Sequence, residues 1–307
     1  MSSTINRGSL PRALLAGVNT WFGNSYNAYD PIWSKIYESN KSTKAYELDV
    51  QFEGFGAATQ KEEGNDITFD SRKQGFAPKY VQSSFAKGFV ITREALDDEQ
   101  YGLFASGAKQ LARAFYIAKE IEGARLFNTA FSTTSAMSGG DGLPMCSTAH
   151  INGPSGGTYS NKLAIDADFS EASLEDKIKL VKRATDPRGL SINLSAVKLI
   201  GHTDQMFEFQ RVLKSSLQND TANNATNAVK DLNLVRDGFI CSPYLSADTD
   251  AWWLQTDCPE GFKMYQRTEL EYGMDDAFAS MNKRYRAYER YVFGFTDPRC
   301  VYGSQGA

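Results

Sequence analysis

Residues 92–131 form a long run of helical periodicity, which limits the folds open to this chain. Apolar residues recur there at alternating spacings of three and four, which places them along one face of a helix. They are Tyr101, Phe104, Ala108, Leu111, Phe115 and Ala118. Thr92 belongs to the residue types that cap helix N-termini. Because a helix of this size would be roughly 60 Å long, well above the average for globular domains, we predict a structural spine.

Residues 46–91 predict a long excursion with two β arms. In the outgoing arm, residues 46–52, apolar and polar side chains alternate as in a half-buried strand, and the return arm includes residues 80–85. Charge is split between the arms. Residues 46–70 hold seven acidic residues and one basic residue, whereas residues 71–90 hold four basic residues and no acidic residue.

Two interpretations of this charge split stay open. In the first, the arms pair into a self-complementary ribbon, where each exposed charge pair adds only about a few tenths of a kcal/mol. In the second, the loop projects and its charged faces meet neighbouring subunits, where such patterns fix partner and register. The second interpretation predicts inter-subunit contacts at Glu47, Asp49, Glu53, Lys61, Glu62, Glu63, Arg72, Lys73 and Lys79.

The rest of the chain mixes helices and strands. A short helix is expected over residues 30–38, with Asp30 as its cap and Pro31 at the first helical position. Beyond residue 170, amphipathic stretches are interspersed with short apolar runs, which indicates a compact α+β lobe with a central sheet. The predicted helices are residues 174–184 and 204–216, and the predicted strands are residues 196–200, 239–241, 251–255 and 262–265.

A second strongly patterned stretch lies near the C-terminus, at residues 284–295. Alternation places five apolar side chains on one face, and these are Tyr285, Ala287, Tyr291, Phe293 and Phe295. A strand of this length is about twice the usual one. We therefore expect it to run alongside the long helix and to cover its apolar stripe.

Bulk composition excludes several classes of protein. No stretch approaches the ~20 consecutive apolar residues that a bilayer span needs, so no membrane partner is expected. The N-terminal sequence also lacks the layout of a secretory signal. The formal net charge of −4 argues against a nucleic-acid-binding chain as a whole, although residues 1–45 and 281–307 each carry five Lys or Arg against two Asp or Glu.

Four widely spaced cysteines without a CxxC pair are expected to be free thiols, mostly buried.

The search for catalytic residues gives one weak motif. Residues 153–157 match the G-x-S-x-G pattern of serine hydrolases, with Ser155 as the nucleophile and His202 as the only later histidine. The flanking sequence lacks the strand and the helix that such an elbow requires, so a glycine-rich surface loop is favoured and a serine hydrolase is a remote alternative. Neither a phosphate-binding loop nor a metal-ligand spacing is present. No catalytic residue, cofactor or metal is expected, and the chain is not predicted to be an enzyme.

Three local stretches are similar to segments of a known family. They are residues 142–150 (Gly-Leu-Pro-Met-Cys-Ser-Thr-Ala-His), residues 242–254 and residues 294–304. With the order of arm, extended loop, long helix, glycine-rich break, mixed lobe and final strand, they make the chain resemble the Hong Kong 97-type fold of tailed-bacteriophage major capsid proteins, and specifically Mu-like major head subunits. An encapsulin-type nanocompartment shell shares this fold and stays an alternative.

The resemblance implies a division of the chain. It implies an N-terminal arm at residues 1–45 and an extended β-hairpin loop at residues 46–91. A peripheral domain would combine residues 92–159, including the spine helix at 92–131, with residues 281–307. An axial domain would comprise residues 160–280, and its loops would surround the five- and six-fold axes, with residues 219–227 as a candidate.

The resemblance also implies partners. Subunits would assemble into pentamers and hexamers of an icosahedral shell that encloses double-stranded DNA, with the basic chain ends making nonspecific contact with the genome. A separate scaffolding protein and a portal would take part. The chain would be synthesised in the cytoplasm of the bacterial host and end in the virion capsid. Covalent cross-linking is not predicted, although Lys61, Lys73 and Lys79 lie in the loop.

Overall fold

The computed structural model describes residues 29–98, 103–132, 139–153, 156–218, 225–277 and 280–306. Residues 1–28 of the predicted N-terminal arm therefore lie outside the described residues. The helices are α1 (Arg93–Asp97), α2 (Leu103–Asn128), α3 (Glu171–Lys182), α4 (Met206–Lys214) and α5 (Ala228–Asp231). The strands are β1 (Glu38–Lys41), β2 (Tyr46–Leu48), β3 (Lys79–Val81), β4 (Ser83–Ile91), β5 (His150–Ile151), β6 (Thr158–Tyr159), β7 (Ala196–Gly201), β8 (Phe239–Cys241), β9 (Trp252–Thr256), β10 (Phe262–Asp276), β11 (Lys283–Phe295) and β12 (Val301–Ser304). This mixture confirms the α+β class.

The predicted spine is shorter than expected and is not one helix over residues 92–131. Thr92 does cap a helix, because its Oγ1 accepts a hydrogen bond of 3.3 Å from the N–H of Ala95. That helix, α1, ends at Asp97, and Asp98 leaves the helical conformation with φ −92° and ψ 3°. Consecutive aspartates favour such an ending because their side chains compete for backbone hydrogen bonds. The spine proper is α2, whose 26 residues span about 39 Å.

The apolar stripe of α2 is confirmed where its side chains are described. Ala108, Leu111 and Phe115 are buried, and Ala118 is half-buried. The side chains of Tyr101 and Phe104 lie outside the described residues. The stripe packs against β11, whose Tyr285 and Ala287 lie in the same small apolar clusters. The predicted cover of the helix by the final strand is therefore confirmed.

A four-stranded sheet in the order β1-β10-β11-β4 forms the larger layer. β11 is antiparallel to both of its neighbours, and β1 adds to the edge of β10 in parallel. We call the side of this peripheral sheet that lies against α2 its inner face and the opposite side its outer face. Successive side chains of a strand alternate between the two faces, so the odd-numbered apolar residues of β11 share the inner face.

The helix predicted over residues 30–38 is wrong. Only Trp33–Lys35 form a short 3-10 helix, without a side-chain cap. Asp30 does not cap it but makes an ion pair of 2.5 Å with Lys35. The chain turns inward at Tyr37, whose ring packs edge-on against Phe293, and continues as β1. Burial of this aromatic residue and pairing with β10 therefore override the local helix signals.

The second four-stranded sheet, in the order β12-β9-β7-β8, belongs to the mixed lobe. The predicted helices and strands of this lobe are present with bounds shifted by a few residues, except that the strand predicted at residues 262–265 extends to Asp276 as β10 and belongs to the peripheral sheet. The second helix begins as a 3-10 turn, Thr203–Gln205, before α4. β9 separates two apolar cores, because Trp252 packs into the core with α3 and α4 whereas Trp253 packs into the core with the end of α2.

Two strands pair with the sheet of the other predicted domain. β10 lies entirely inside the predicted axial range 160–280, yet it pairs with β11 over nearly its whole length. β12 lies in the predicted peripheral range 281–307, yet it pairs with β9. In the described part of the chain, no helix is long and apolar enough to cross a membrane.

Candidate functional site

The candidate site is the extended loop together with its attachment to the body. The two arms pair as predicted near their base, where β2 and β3 are antiparallel. Beyond the base, Phe52 bridges to Gln74, and further out the side chains of Thr59 and Thr68 lie 3.0 Å apart. The later part of the predicted return arm differs, because β4 leaves the hairpin and pairs with β11.

Tyr80 attaches the loop to the outer face of the peripheral sheet. Its ring lies over Gly294 of β11, where a Cβ atom would stand 2.3 Å from ring atom Cε1. Its hydroxyl lies 2.6 Å from Oγ1 of Thr296, and burial raises the pKa of Tyr80. The Thr296 hydroxyl in turn donates to Asp49 at 2.7 Å. The hydroxyl of Tyr80 therefore donates to Thr296, since a carboxylate only accepts.

A lysine on β10 completes this anchor. The Lys263 ammonium group contacts the carboxylates of both Asp49 and Glu260. Burial acts to lower the pKa of Lys263, but the hydrogen bonds to the two carboxylates outweigh burial and raise that pKa. In the outgoing arm, the amide of Gln51 donates to the carbonyl of Thr296 at 2.7 Å. Both arms of the hairpin are therefore fixed to the end of β11 by polar contacts that burial strengthens.

Farther from its base, the loop is held by an arginine from the mixed lobe. Nη1 of Arg188 lies 2.7 Å from Oδ2 of Asp70, and Nη2 donates to the carbonyl of Ser71 at 2.6 Å. The same carboxylate accepts from the N–H of Gly56 at 2.8 Å, across the loop. The Gly56 N–H and the Arg188 guanidinium together hold the pKa of Asp70 below its ordinary value. Arg188 therefore holds the loop at Asp70 and Ser71, and the Asp70 carboxylate links this clamp to Gly56 across the loop.

Asp186 fixes the position of this arginine. Its Oδ1 accepts from the N–H of Arg188 at 2.9 Å and from the N–H of Leu190 at 2.8 Å. Gly189 follows Arg188 with φ +81°, a conformation that favours glycine. The turn thus directs the guanidinium at the loop through local backbone geometry.

Several of the predicted contact residues have partners within the chain. Glu47 accepts from Ser42 at 2.7 Å and pairs with Lys44. Asp49 belongs to the anchor described above. Glu53 is only 2% exposed, and its N–H donates to the carbonyl of Lys73 at 3.0 Å.

The basic residues of the return arm lie on aromatic rings of the outgoing arm. The Arg72 guanidinium lies 5.0 Å from the ring centroid of Phe52. The Lys79 ammonium group lies 4.2 Å from the ring centroid of Tyr46. These contacts agree with the ribbon interpretation at the base of the loop. Whether the same residues also meet a neighbouring subunit stays a prediction.

The tip of the loop is different, because its side chains are exposed. Lys61, Glu62 and Glu63 are exposed, and the carboxylate of Glu62 accepts from the side chain of Asn65 within the tip, at 3.3 Å. Large apolar side chains are also exposed there, and Phe69 reaches 94%. The others are Phe55 and Ile67. An uncovered set of this kind is typical of a surface that binds another protein.

A buried ion pair joins the spine to β11. Nζ of Lys119 on α2 lies 3.2 Å from Oε2 of Glu289, and both side chains are almost fully buried. The ammonium group also lies 4.9 Å from the ring centroid of Tyr291. Burial lowers the pKa of Lys119 and raises the pKa of Glu289. Periodicity alone gave no sign of this pair, since both positions lie on faces that are otherwise apolar.

The described residues lack the local structure that the hydrolase alternative requires. Ser155 lies outside the described residues, but its flanking segments form the β5–β6 hairpin and not a strand followed by a helix. His202 caps a 3-10 turn, with its Nδ1 accepting from the N–H of Asp204. His150 is buried and contacts Asp141 at 2.6 Å. Burial acts to raise the pKa of the Asp141 carboxyl, but the hydrogen bond with His150 helps to hold that pKa below its ordinary value.

The remaining predicted features are placed as follows. All four cysteines are free, with Cys146 and Cys300 buried. The described residues contain no group of side chains suited to hold a metal ion. In the candidate axial loop, residues 219–224 lie outside the described residues, and its ends pair through a bridge between Leu217 and Thr226.

Comparison with known proteins gives one family and a set of similar folds. A sequence model of phage capsid proteins matches residues 77–304. No curated protein matches the chain. Among solved structures, the capsid of a native GTA particle is 11% identical with a TM-score of 0.59, and it covers 91% of this chain and 92% of its own. Mycobacterium phage Patience is 10% identical with a TM-score of 0.56, covering 100% and 90%.

A third structure, the capsid of cyanophage P-SCSP1u, is 9% identical with a TM-score of 0.59, covering 88% of this chain and 86% of its own. Identities this low show a common fold, and the family match extends over most of the chain. The fold of phage capsid proteins thus accounts for the spine, the extended loop and the mixed lobe together. The chain belongs to the phage capsid protein family and has the Hong Kong 97-type fold of a major capsid protein, the shell-forming component of an icosahedral head.

Proposed function

We propose that this major capsid protein assembles through its extended loop into pentamers and hexamers around double-stranded DNA. The observation that carries the proposal is the contrast within the loop. Its base is tied to the body through Tyr80 and Asp49, whereas its tip exposes Phe69 and acidic side chains that the described part of the chain leaves uncovered. A fixed base with an uncovered tip suits a loop that lies over a neighbouring subunit.

The sheets support a revised division of the chain. The peripheral domain would contain α1, α2, β1, β4, β10 and β11, because these strands form one sheet against the spine. The axial domain would contain α3 to α5 with β7, β8, β9 and β12. The exposed side chains of Phe207 and Leu232 lie on the axial domain and are suited to contacts around an axis.

Other partners follow from the role of a head subunit. We expect a separate scaffolding protein and a portal, synthesis in the host cytoplasm, and nonspecific contact between the basic chain ends and the genome. We propose a structural role without catalysis. An encapsulin-type compartment shares the fold, and the match to phage capsid proteins over residues 77–304 favours the phage head.

Deletion of residues 54–78 tests the role of the loop. The deletion removes the tip but keeps β2, β3 and the Asp49–Thr296–Tyr80 anchor. We expect a soluble, folded subunit that forms no closed shells in negative-stain microscopy. Thermal unfolding of the deletion variant, compared with the full chain, controls for loss of the body. Normal shells from the deletion variant would contradict the proposal.

A further inference from the structure

Two neighbouring crossovers join the peripheral sheet to the sheet of the mixed lobe. Residues 257–261 lead from β9 to β10, and residues 296–300 lead from β11 to β12. Because β9 pairs with β12 and β10 pairs with β11, the two crossovers run side by side where the lobes meet. A covalent bond between them would therefore fix the junction of the two lobes.

Each crossover carries a cysteine. Cys258 is half-buried, and Cys300, the last residue of a short 3-10 helix, is 1% exposed. Both pack in the apolar core at the end of α2. A Cβ atom placed on Gly261 would lie 3.3 Å from the carbonyl oxygen of Cys258 and 3.4 Å from the Cβ atom of Cys300. The two cysteines thus flank a single backbone position.

Hydrogen bonds hold the crossovers together on both sides of this position. The N–H of Asp297 donates to the carbonyl of Glu260 at 2.8 Å. The hydroxyl of Thr256 donates to the carbonyl of Arg299 at 2.6 Å. A disulfide needs two Cβ atoms about 4 Å apart. Two residues that flank one position of paired segments can reach that separation by a small local shift.

Burial slows the oxidation of both thiols. It raises the pKa of Cys258 to about 12. It also raises the pKa of Cys300 well above its ordinary value, and the neighbouring Cys258 thiol adds to that rise. Because the thiolate is the nucleophile in disulfide formation, both residues react slowly at neutral pH. A reducing cytoplasm keeps such thiols free, and all four cysteines are free in the structure.

We infer that Cys258 and Cys300 form a disulfide in an oxidising medium and that this bond staples the junction of the two lobes. The bond would close a loop that contains both β10 and β11, and a closed loop of this length stabilises a fold by constraining the unfolded chain. The bond itself does not depend on the proposed function. Only its timing, after release of the particle from the host, rests on that function.

The oxidant is a low-molecular-weight disulfide. The Cys258 thiolate attacks one sulfur of this disulfide, which gives a mixed disulfide and releases one small thiol. The Cys300 thiolate then attacks Sγ of Cys258 and releases the second small thiol. The two cysteines are oxidised, the small disulfide is reduced, and the two cysteine protons end on the two small thiols.

Treatment of the native full-length chain with oxidised glutathione, as free subunits and as particles, tests the inference. We expect free thiols to fall from four to two, and peptide mass spectrometry to find Cys258 joined to Cys300. The melting temperature should rise by about 5–10 °C, and a reductant should reverse the rise. Cys258→Ser should lose both the bond and the rise. Cys241→Ser, which removes the other half-buried cysteine, is the matched control and should keep both.

Two results would overturn the inference. One is four thiols that stay free in the folded chain but oxidise once the chain is denatured. The other is a bond from Cys300 to Cys146, which lies in the same core, or a bond between two chains. The linked peptides come from the unaltered chain, so this result does not depend on the folding of a variant. Since free subunits are scored as well as particles, a failure of shell assembly leaves the result intact.

Discussion

The aromatic ring of Tyr80 occupies the place where a side chain on Gly294 would stand, with only 2.3 Å between ring atom Cε1 and the position of a Cβ atom. This relationship joins the extended loop to the strand that covers the spine. The loop and the spine are therefore coupled through β11. The glycine matters because any side chain there would lift the loop from the sheet.

Substitution of Gly294 by alanine is expected to release the loop. The added methyl group collides with Tyr80, and overpacking of this kind costs about 1–3 kcal/mol of unfolding free energy. The measurements are urea unfolding and the rate at which a protease cuts residues 54–78. The control is Gly157→Ala, since nothing lies within 4 Å of a Cβ atom there. Unchanged loop protection in Gly294→Ala would show that Tyr80 is not the anchor.

Arg188→Ala is expected to loosen the outer loop without unfolding the body. The side chains of Arg188 and Asp70 are partly exposed, and such pairs contribute less than about 1 kcal/mol to global stability. Loss of the clamp removes the hydrogen bonds from Arg188 to Asp70 and Ser71, and Asp70 is the acceptor for the N–H of Gly56, so amide hydrogen exchange at Gly56 should accelerate. Arg183→Ala, an exposed arginine of the same lobe, should leave that exchange rate unchanged. Equal acceleration in both variants would refute the clamp.

Removing one partner of the buried Lys119–Glu289 pair is expected to destabilise the protein more than removing both partners. Lys119→Met alone leaves a buried carboxylate unpaired and is expected to cost about 3–5 kcal/mol of unfolding free energy. Combining it with Glu289→Leu removes both charges and should recover most of that loss. Chemical denaturation of the three variants measures the coupling. A double variant as unstable as the sum of the singles would mean that the pair is not coupled.

Lys177 gives a prediction about pH. Its side chain is fully buried, its amine lies 3.3 Å from the ring centroid of Trp252, and Nζ has no hydrogen-bond partner in the described structure. Burial lowers the pKa of Lys177 well below its ordinary value. The unfolded chain therefore binds more protons at this residue, so stability rises with pH toward the ordinary pKa of 10.5.

Lys177→Met should thus stabilise the protein at pH 7 by about 1–3 kcal/mol, because it removes an unsatisfied buried donor. The advantage should shrink as the pH approaches 10.5, where the unfolded lysine also loses its proton. Unfolding free energies at several pH values measure it. Lys179→Met, an exposed substitution in the same helix, should show neither effect. A destabilised Lys177→Met would show that the amine is needed.

Local periodicity was enough to predict the elements that bury a continuous apolar face. The alternation in β11 and the spacing of Leu111 and Phe115 in α2 are repeated signals, so the strand, the helix and their contact were all expected. The mixed lobe was predictable for the same reason. The break after Asp97 was not, because it precedes Tyr101, the first residue of the apolar stripe, so the spacing of apolar residues carries no information there.

The anchor and the clamp depend on contacts between residues far apart in the chain, which periodicity does not report. Nothing local pairs Arg188 with Asp70, and the ion pair at Glu289 interrupts an apolar face. One signal was available, since a glycine inside a strand pattern often marks a close approach of another segment. Gly294 is such a residue, and reading it that way would have predicted a segment packed on β11.

The most direct test is a cryo-electron microscopy reconstruction of particles assembled from the full-length chain. We expect a closed icosahedral shell of five- and six-subunit rings, with the tip at Glu63 and Phe69 of each subunit lying on a neighbouring subunit. Particles in which each tip lies on its own subunit, or a chain that forms no shell at all, would contradict it.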